Sequence, residues 1–523
     1  MQNALLGVTF SLCRNFKAKI GIPLEKINIC SIITLGCGVF PYACNRSKER
    51  MYAIMSFFKK LIGDRTFYKK VLAVSVPMMI QMGITNFVSL LDNIMVGKLG
   101  TEPMSGVSIV NQFIFVFNLL IFGAVSAAGI FTAQYHGIRD TEGERHTFRF
   151  KFLINVISAV IAIFAFLAFD DELISLFLHE GSEKGDLALT LAYGKEYLKI
   201  MLIGMLPYAI SQVYTSTMRE TEQTITPMIA SVSAVVINFV FNYILIFGKF
   251  GAPALGVTGA AIATVISRFA ELAILLVWGH THTKKCPYLI GAFRSFKIPK
   301  RLFLSIIAKG LPLMANELFW SLAVTFRNQA YSTRGLDVVA GLNICTTILN
   351  VFNVVYMAIG SSIAIIVGNL LGAGKAEEAV DTDRKMLAFS VTCATGMGLI
   401  LIACSTVFPM LYNTSDEVRA IAAQMMIASA VAMPFCAFAH SSYFTLRSGG
   451  QVMITLLFDS VYMWALVLPI AWILAYLTDL AIIPFFALCQ CTDILKAAFG
   501  YVLLKRGTWV RRLVSDPSLK SES

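Results

Sequence analysis

The 523-residue chain is 57% hydrophobic and only 14% charged, with a formal net charge of +12 and a mean hydropathy of +0.71. A soluble chain of this length needs far more charge to cover its surfaces, so these values exclude a soluble multidomain protein and point to repeated crossing of a bilayer. Basic residues in such a chain concentrate in cytoplasmic loops, so the positive balance calls for no nucleic-acid partner.

Residues 1–54 stand apart from the rest. Positions 27–44 form a cysteine-bearing apolar run that is short for a crossing, followed by Arg46, Lys48 and Arg50. Translation starting at Met51 or Met55 is the preferred reading, and a signal-like or interfacial segment is the other. Apolar stretches then predict helices near 74–97, 104–134, 151–169, 196–218, 226–248 and 255–279, within a first lobe spanning 55–283. A basic link over 284–303 leads to a second set near 304–331, 338–371, 386–409, 420–446, 453–477 and 480–503, in a lobe spanning 304–505 with a tail at 506–523. The expected fold class is an all-α integral membrane protein of twelve transmembrane helices in two parallel six-helix lobes.

Charge orients this plan. Lys59, Lys60, Arg65, Lys69 and Lys70 precede the first helix; Arg139, Arg145, Arg149 and Lys151 occupy the second loop; Lys284, Lys285, Arg294, Lys297, Lys300 and Arg301 crowd the central link; and Lys505, Arg506, Arg511 and Arg512 follow the last helix. With twelve crossings all of these share one side. Asp170, Asp171, Glu172, Glu180, Glu183 and Asp186 fall on the other. Both termini are therefore expected in the cytoplasm.

The halves also repeat. An offset of 235 places Pro77 on Pro312, Met79 on Met314, Gly100 on Gly335, Gly106 on Gly341, Ser126 on Ser361, and Gly137 on Gly372. The same offset carries Val116, Phe117 and Asn118 onto Val351, Phe352 and Asn353. Thr217-Met218-Arg219 matches Thr445-Leu446-Arg447 at a slightly shorter offset, as one gap produces. Each half has an even number of helices, so the two enter the membrane in the same sense and are related by an axis along its normal, with a cavity expected between them.

Ionisable groups inside apolar helices are costly, and each marks a possible site. Asp92 lies in the outer half of the first helix and Glu317 midway along the seventh; both suit cation or proton coupling. Arg327 occupies the repeat position of Asp92 and either pairs with a carboxylate across the cavity or reaches the outer surface. Asn238 and Asn242, four apart, share a face of the fifth helix, where amide oxygens either assist a cation-binding carboxylate or join helices. Asn111, Asn118, Asn353 and His440 are further cavity candidates. Arg268 with Glu271, and Asp493 with Lys496, are three apart and read as structural ion pairs within their helices. Asp459 reads as a solvated carboxylate near the cytoplasmic end of its helix.

Other chemistries lack their motifs. Gly368 to Ala376 superficially resembles a phosphate loop, but Asn369 stands at its required first glycine and no Ser or Thr follows Lys375, which argues against ATP hydrolysis. His280 and His282 make a weak metal signal, and the eleven cysteines show neither a zinc nor a disulfide spacing. Cys489 and Cys491 read as small lipid-tolerant or packing residues. No His, Asp or Glu cluster has catalytic spacing, so the chain is not read as an enzyme.

Residues 70–505 resemble the multidrug and toxic compound extrusion (MATE) family. The stretches that carry the likeness are Asp92 to Gly100, Gln134 to Gly137, Asn238 to Gly248 leading into Gly256 to Ala261, and Leu446 to Gln451. The resemblance implies twelve helices in two lobes and cation-coupled export of organic cations and drugs from the cell across the plasma membrane. H⁺ or Na⁺ would be the coupling ion, and no other cofactor or metal is implied. A monomer is expected. Asp92 and Asn238 match positions linked to coupling in the family, and Glu317 matches a seventh-helix glutamate of Na⁺-linked members. Asn242 replaces an aspartate of some members, and Cys436 stands near a tenth-helix aspartate of others. A lipid-linked precursor flippase of related architecture is the alternative, and it requires a cationic central cavity.

Overall fold

In hydrocarbon no water can satisfy backbone N–H and C=O groups, so each apolar stretch closes its hydrogen bonds within itself as helix. The computed structural model describes residues 61–175, 187–412 and 414–514, so the possible N-terminal segment over 1–54 lies outside the described residues. Twelve long helices fill the described chain. They are α1 (Arg65–Gly97), α2 (Thr101–Gly137), α3 (Thr141–Ala168), α4 (Leu187–Glu220), α5 (Ile225–Phe247), α6 (Gly256–Thr281), α7 (Lys300–Ser332), α8 (Leu336–Gly372), α9 (Ala376–Cys404), α10 (Asp416–Ser448), α11 (Val452–Tyr476) and α12 (Ile482–Lys505). Ten are apolar enough to cross a membrane by composition alone. The other two, α1 and α4, are equally long at 33 and 34 residues. Their polar content, including Gln81, Thr85, Asn86 and Asp92 in α1 and Lys195, Glu196 and Lys199 in α4, lowers their hydropathy.

Several helices start earlier than hydropathy predicts, and their caps explain why. Asp64 accepts from the Phe67 amide at 2.8 Å at the start of α1, and Asp140 accepts from the Gly143 amide at 3.1 Å at the start of α3. Each satisfies an orphan donor of the first turn. The segment expected as a basic loop over 139–151 is therefore mostly the first turns of α3. Lys151, expected in that loop, is fully buried inside the helix. Helix α11 is irregular, with two π-helical turns at Leu457–Val461 and Met463–Val467.

Helices α2, α4, α5 and α6 pack into the core of one lobe, and α8, α9, α10 and α12 into that of the other. The lobes meet where α1 and α2 touch α7 and α8. The repeat is visible at this seam. A Cβ on Gly137 would lie 1.9 Å from the Asn369 carbonyl oxygen, and one on Gly372 would lie 2.0 Å from the Gln134 carbonyl oxygen. Gly137 and Gly372 are repeat partners, and so are Gln134 and Asn369. The contact is thus reciprocal, as a pseudo-two-fold axis requires. It seals the lobes at the end bearing the basic loops. The Gln134 side chain adds to the seal by donating to the Ser448 and Arg511 carbonyls at 3.1 and 3.2 Å and accepting from the Leu513 amide at 2.7 Å. Towards the other end, Asn111, Phe115 and Val116 of α2 and Asn350 and Val351 of α8 are exposed.

Candidate functional site

The helical period brings Asn238 and Asn242 onto one face of α5, and α1 lays Asp92 against that face. Asn242 Nδ2 donates to Asp92 Oδ1 at 2.7 Å and to Asn238 Oδ1 at 3.0 Å. In its alternative amide orientation, Asn238 donates to both Asp92 oxygens at 3.0 Å and accepts from Thr264 of α6 at 3.2 Å. Both asparagines are buried and Asp92 is half-buried. No ion pair reaches Asp92 among the described residues, so its partners are neutral amides. Asn242 Oδ1 is buried without a partner, which leaves an oxygen acceptor beside the carboxylate. A carboxylate and amide oxygens are the donor set a hard monovalent or divalent cation takes.

The second lobe holds a different cluster. Tyr443 donates to Glu317 Oε1 at 3.2 Å. Asn316, the neighbour of Glu317, donates to Asp459 Oδ2 at 3.1 Å and is itself held by Ser460 at 2.8 Å. Lys496 closes the group on Asp459 Oδ1 at 2.5 Å, with its ammonium 5.5 Å from the Phe458 ring centroid and 5.9 Å from that of Tyr462. This network overturns two expectations. Asp459 is not a solvated end-of-helix carboxylate, because the π-helical turn of α11 aims it at α7, where its side chain is 18% exposed. Lys496 is not paired with Asp493 on its own helix. Asp493 instead accepts from the Cys436 thiol at 3.1 Å, so α12 supplies a carboxylate beside the α10 position where Cys436 stands.

The expected pair of Arg268 and Glu271 is also absent. Glu271 accepts from Ser231 at 2.5 Å, while the Arg268 guanidinium sits 5.1 Å from the Tyr208 ring centroid. A face-sharing spacing permits an intrahelical pair, but hydrogen bonds across helices and an aromatic face compete for both groups here.

Between the lobes lies a cleft of about 150 Å³. Its wall includes Met78, Phe122, Arg219, Glu220, Phe444 and Arg447. Arg219 donates to the side-chain oxygen of Gln81; Gln81 donates to Ser231 at 2.5 Å, and Ser231 in turn to Glu271. Glu220 pairs with buried Lys151, which also donates to Thr217 at 3.2 Å.

The remaining expected cavity residues stay outside these groups. Asn111 accepts from Tyr197 at 3.5 Å. Asn118 keeps a buried, unpartnered Oδ1, and Arg327 a buried, unpartnered Nε with no ion pair among the described residues. The Asn353 side chain makes no hydrogen bond among the described residues. His440 packs between Tyr356 and Phe444, with ring centroids 5.6 and 5.0 Å away. Cys489 is buried in the core of the second lobe, while Cys491 is exposed. Residues passed over in the sequence are Gln81, Glu220 and Asn316, and two given other surroundings there are Lys151 and Lys496. Each was legible as an intramembrane or helix-end polar group, but its partner lies more than thirty positions away and no spacing rule finds it.

Two repeated six-helix lobes, polar clusters inside apolar helices, and a cleft between the lobes define a polytopic membrane transport protein. The MatE family profile matches residues 77–244 and 312–473, two stretches that begin 235 positions apart, the offset of the internal repeat. The chain belongs to the MatE family. Among curated relatives, the probable multidrug resistance protein NorM of Thermotoga maritima is 24% identical over 456 residues, covering 85% of this chain and 94% of that protein. The multidrug resistance protein MdtK of Pectobacterium atrosepticum is 26% identical over 431 residues, covering 79% and 89%. The fold matches the outward-facing conformation of a multidrug resistance MATE family transporter with a TM-score of 0.77 at 20% identity, covering 86% of this chain and 97% of that one.

Proposed function

We propose that the chain is a plasma-membrane antiporter that uses H⁺ or Na⁺ to export organic cations and drugs by alternating access. The observation that carries this reading is the convergence of Asp92, Asn238 and Asn242 in one lobe, with a carboxylate contacted by neutral amides and by no cation among the described residues. A half-buried carboxylate with no protein counter-ion is costly in a membrane interior. Taking up a proton or a Na⁺ removes that cost, and the unpartnered Asn242 oxygen offers Na⁺ a further ligand. An ion drives the cycle only if it binds one state of the transporter more tightly than the other. Neutralisation of Asp92 supplies such a difference, because the cost of its charge changes with the water that reaches it.

The seal between α2 and α8 supports the same cycle. It closes the end that carries the basic loops, which the positive-inside rule assigns to the cytoplasm along with both termini. Relatives of the chain are named multidrug resistance proteins, which supports drugs as the cargo. The test is efflux of a cationic dye from proteoliposomes under separately imposed Na⁺ and pH gradients. Efflux driven by one of the two fits the proposal, and efflux that ignores both rejects it.

A further inference from the structure

We propose that the inter-lobe cleft binds the anionic end of an amphiphile, so that cargo bearing a carboxylate or similar oxyanion is taken in preference to its uncharged-end analogue. The proposal rests on the antiporter reading, takes this inter-lobe cleft as the place where cargo binds, and names the chemistry the cleft selects. It begins from Arg447. This residue is only 7% exposed, lines the cleft, and keeps its Nη1 buried with no hydrogen-bond partner. No carboxylate approaches it within ion-pair distance among the described residues. Its guanidinium lies 5.7 Å from the Phe122 ring centroid and 5.4 Å from that of Phe444. Those faces hold the cation in place without neutralising it.

The repeat partner of Arg447 is Arg219, on the opposite side of the same cleft. It too has an unpartnered nitrogen, the buried Nε, and its described hydrogen bond goes to the neutral Gln81 side chain. The one carboxylate on the wall, Glu220, is already matched by Lys151. One guanidinium from each lobe, neither within ion-pair distance of a carboxylate among the described residues, therefore faces a space whose one wall carboxylate is already paired. Guanidinium groups select planar oxyanions through paired N–H donors. The rest of the wall combines apolar side chains such as Met78, Met82, Ile130 and Ile365 with polar ones such as Gln212 and Thr215, so an apolar or aromatic segment can lie next to the charge on one part of it. The volume of about 150 Å³ falls short of the roughly 300 Å³ a drug-sized ligand needs. The cleft thus takes the charged end, and the body of the ligand extends beyond it.

The test compares rhodamine B, which carries a free carboxylate, with its ethyl ester, by fluorescence polarisation on the purified full-length protein. The acid should bind about tenfold more tightly than the ester. Arg447→Gln should weaken the acid about fivefold or more while moving the ester by less than about twofold; Arg447→Lys, which keeps the charge, should retain part of the preference. Equal affinities for acid and ester in the unmodified protein overturn the proposal, whether or not either variant folds. So does an Arg447→Gln variant that loses both dyes alike while its melting profile is unchanged. Displacement of bound acid by equimolar phosphatidylglycerol in mixed micelles would reassign the cleft to a lipid headgroup and likewise overturn it as a cargo site. Gradient-driven efflux of the two dyes reports separately on the antiporter reading. If neither dye is pumped but the acid preference persists, the antiporter reading fails and the anion site stands.

Discussion

The two lobes share a scaffold and differ in what sits at their polar centres. In the first, Asp92 faces the amides of Asn238 and Asn242 and no cation among the described residues. In the second, Asp459 already holds the ammonium of Lys496, and Glu317 is held through Tyr443 beside Asn316. Asp92 thus has no cation within ion-pair distance among the described residues, whereas the second lobe supplies Lys496 to Asp459 and leaves Glu317 on the Tyr443 hydroxyl. Duplication supplied two equivalent frames, and the difference in charge indicates which of them has work for an external ion. On the proposed antiporter reading, coupling falls to the first lobe, while the second holds a network in which Asp459 has a cation of its own.

The largest effect that would sharpen this contrast comes from removing the built-in cation. Lys496→Met leaves Asp459 without its partner and should cost about 3 kcal/mol of stability, read as a lower melting temperature in detergent. Combining it with Asp459→Asn should restore most of the loss, and a double variant as unstable as the single one would break the contrast. In the first lobe, Asn242→Ala removes a neutral donor from Asp92 and should lower the apparent affinity for the coupling ion about tenfold, with little change in melting. Ion dependence of dye efflux checks this. Glu317→Gln should have the smallest effect, lowering gradient-driven efflux by no more than about threefold, or about 0.7 kcal/mol. A loss as large as that from altering Asp92 would move coupling to both lobes.

The helices, the repeat and the key carboxylate were legible in sequence because each is a local or periodic signal. Runs of apolar residues fix the crossings, and a constant offset fixes the duplication. That offset even names Gly137 and Gly372, whose reciprocal contacts with Asn369 and Gln134 need backbones closer than any side chain allows. Asp92, Asn238 and Asn242 emerged together because one intramembrane acid and one face-sharing amide pair stand out against apolar surroundings. The second lobe was harder to read. Spacing offered Lys496 a partner three residues away in Asp493, but the π-helical turns in α11 carry Asp459 to it from another helix. Such turns have no sequence period. Lys151 falls within a helix and not a loop because a capping aspartate about three turns earlier extends α3 past the hydropathy boundary. The two cleft arginines were visible as a repeated Thr-x-Arg pattern, but only packing reveals that they face one space and lack carboxylate partners.

The most direct test of the asymmetry sets two proteoliposome preparations side by side, Asp92→Asn and Glu317→Gln, each loaded with a cationic dye and given the gradient that drives the unmodified protein. The account predicts that gradient-driven efflux is lost with Asp92→Asn and largely kept with Glu317→Gln. Full efflux by Asp92→Asn, or equal loss in both, would contradict it.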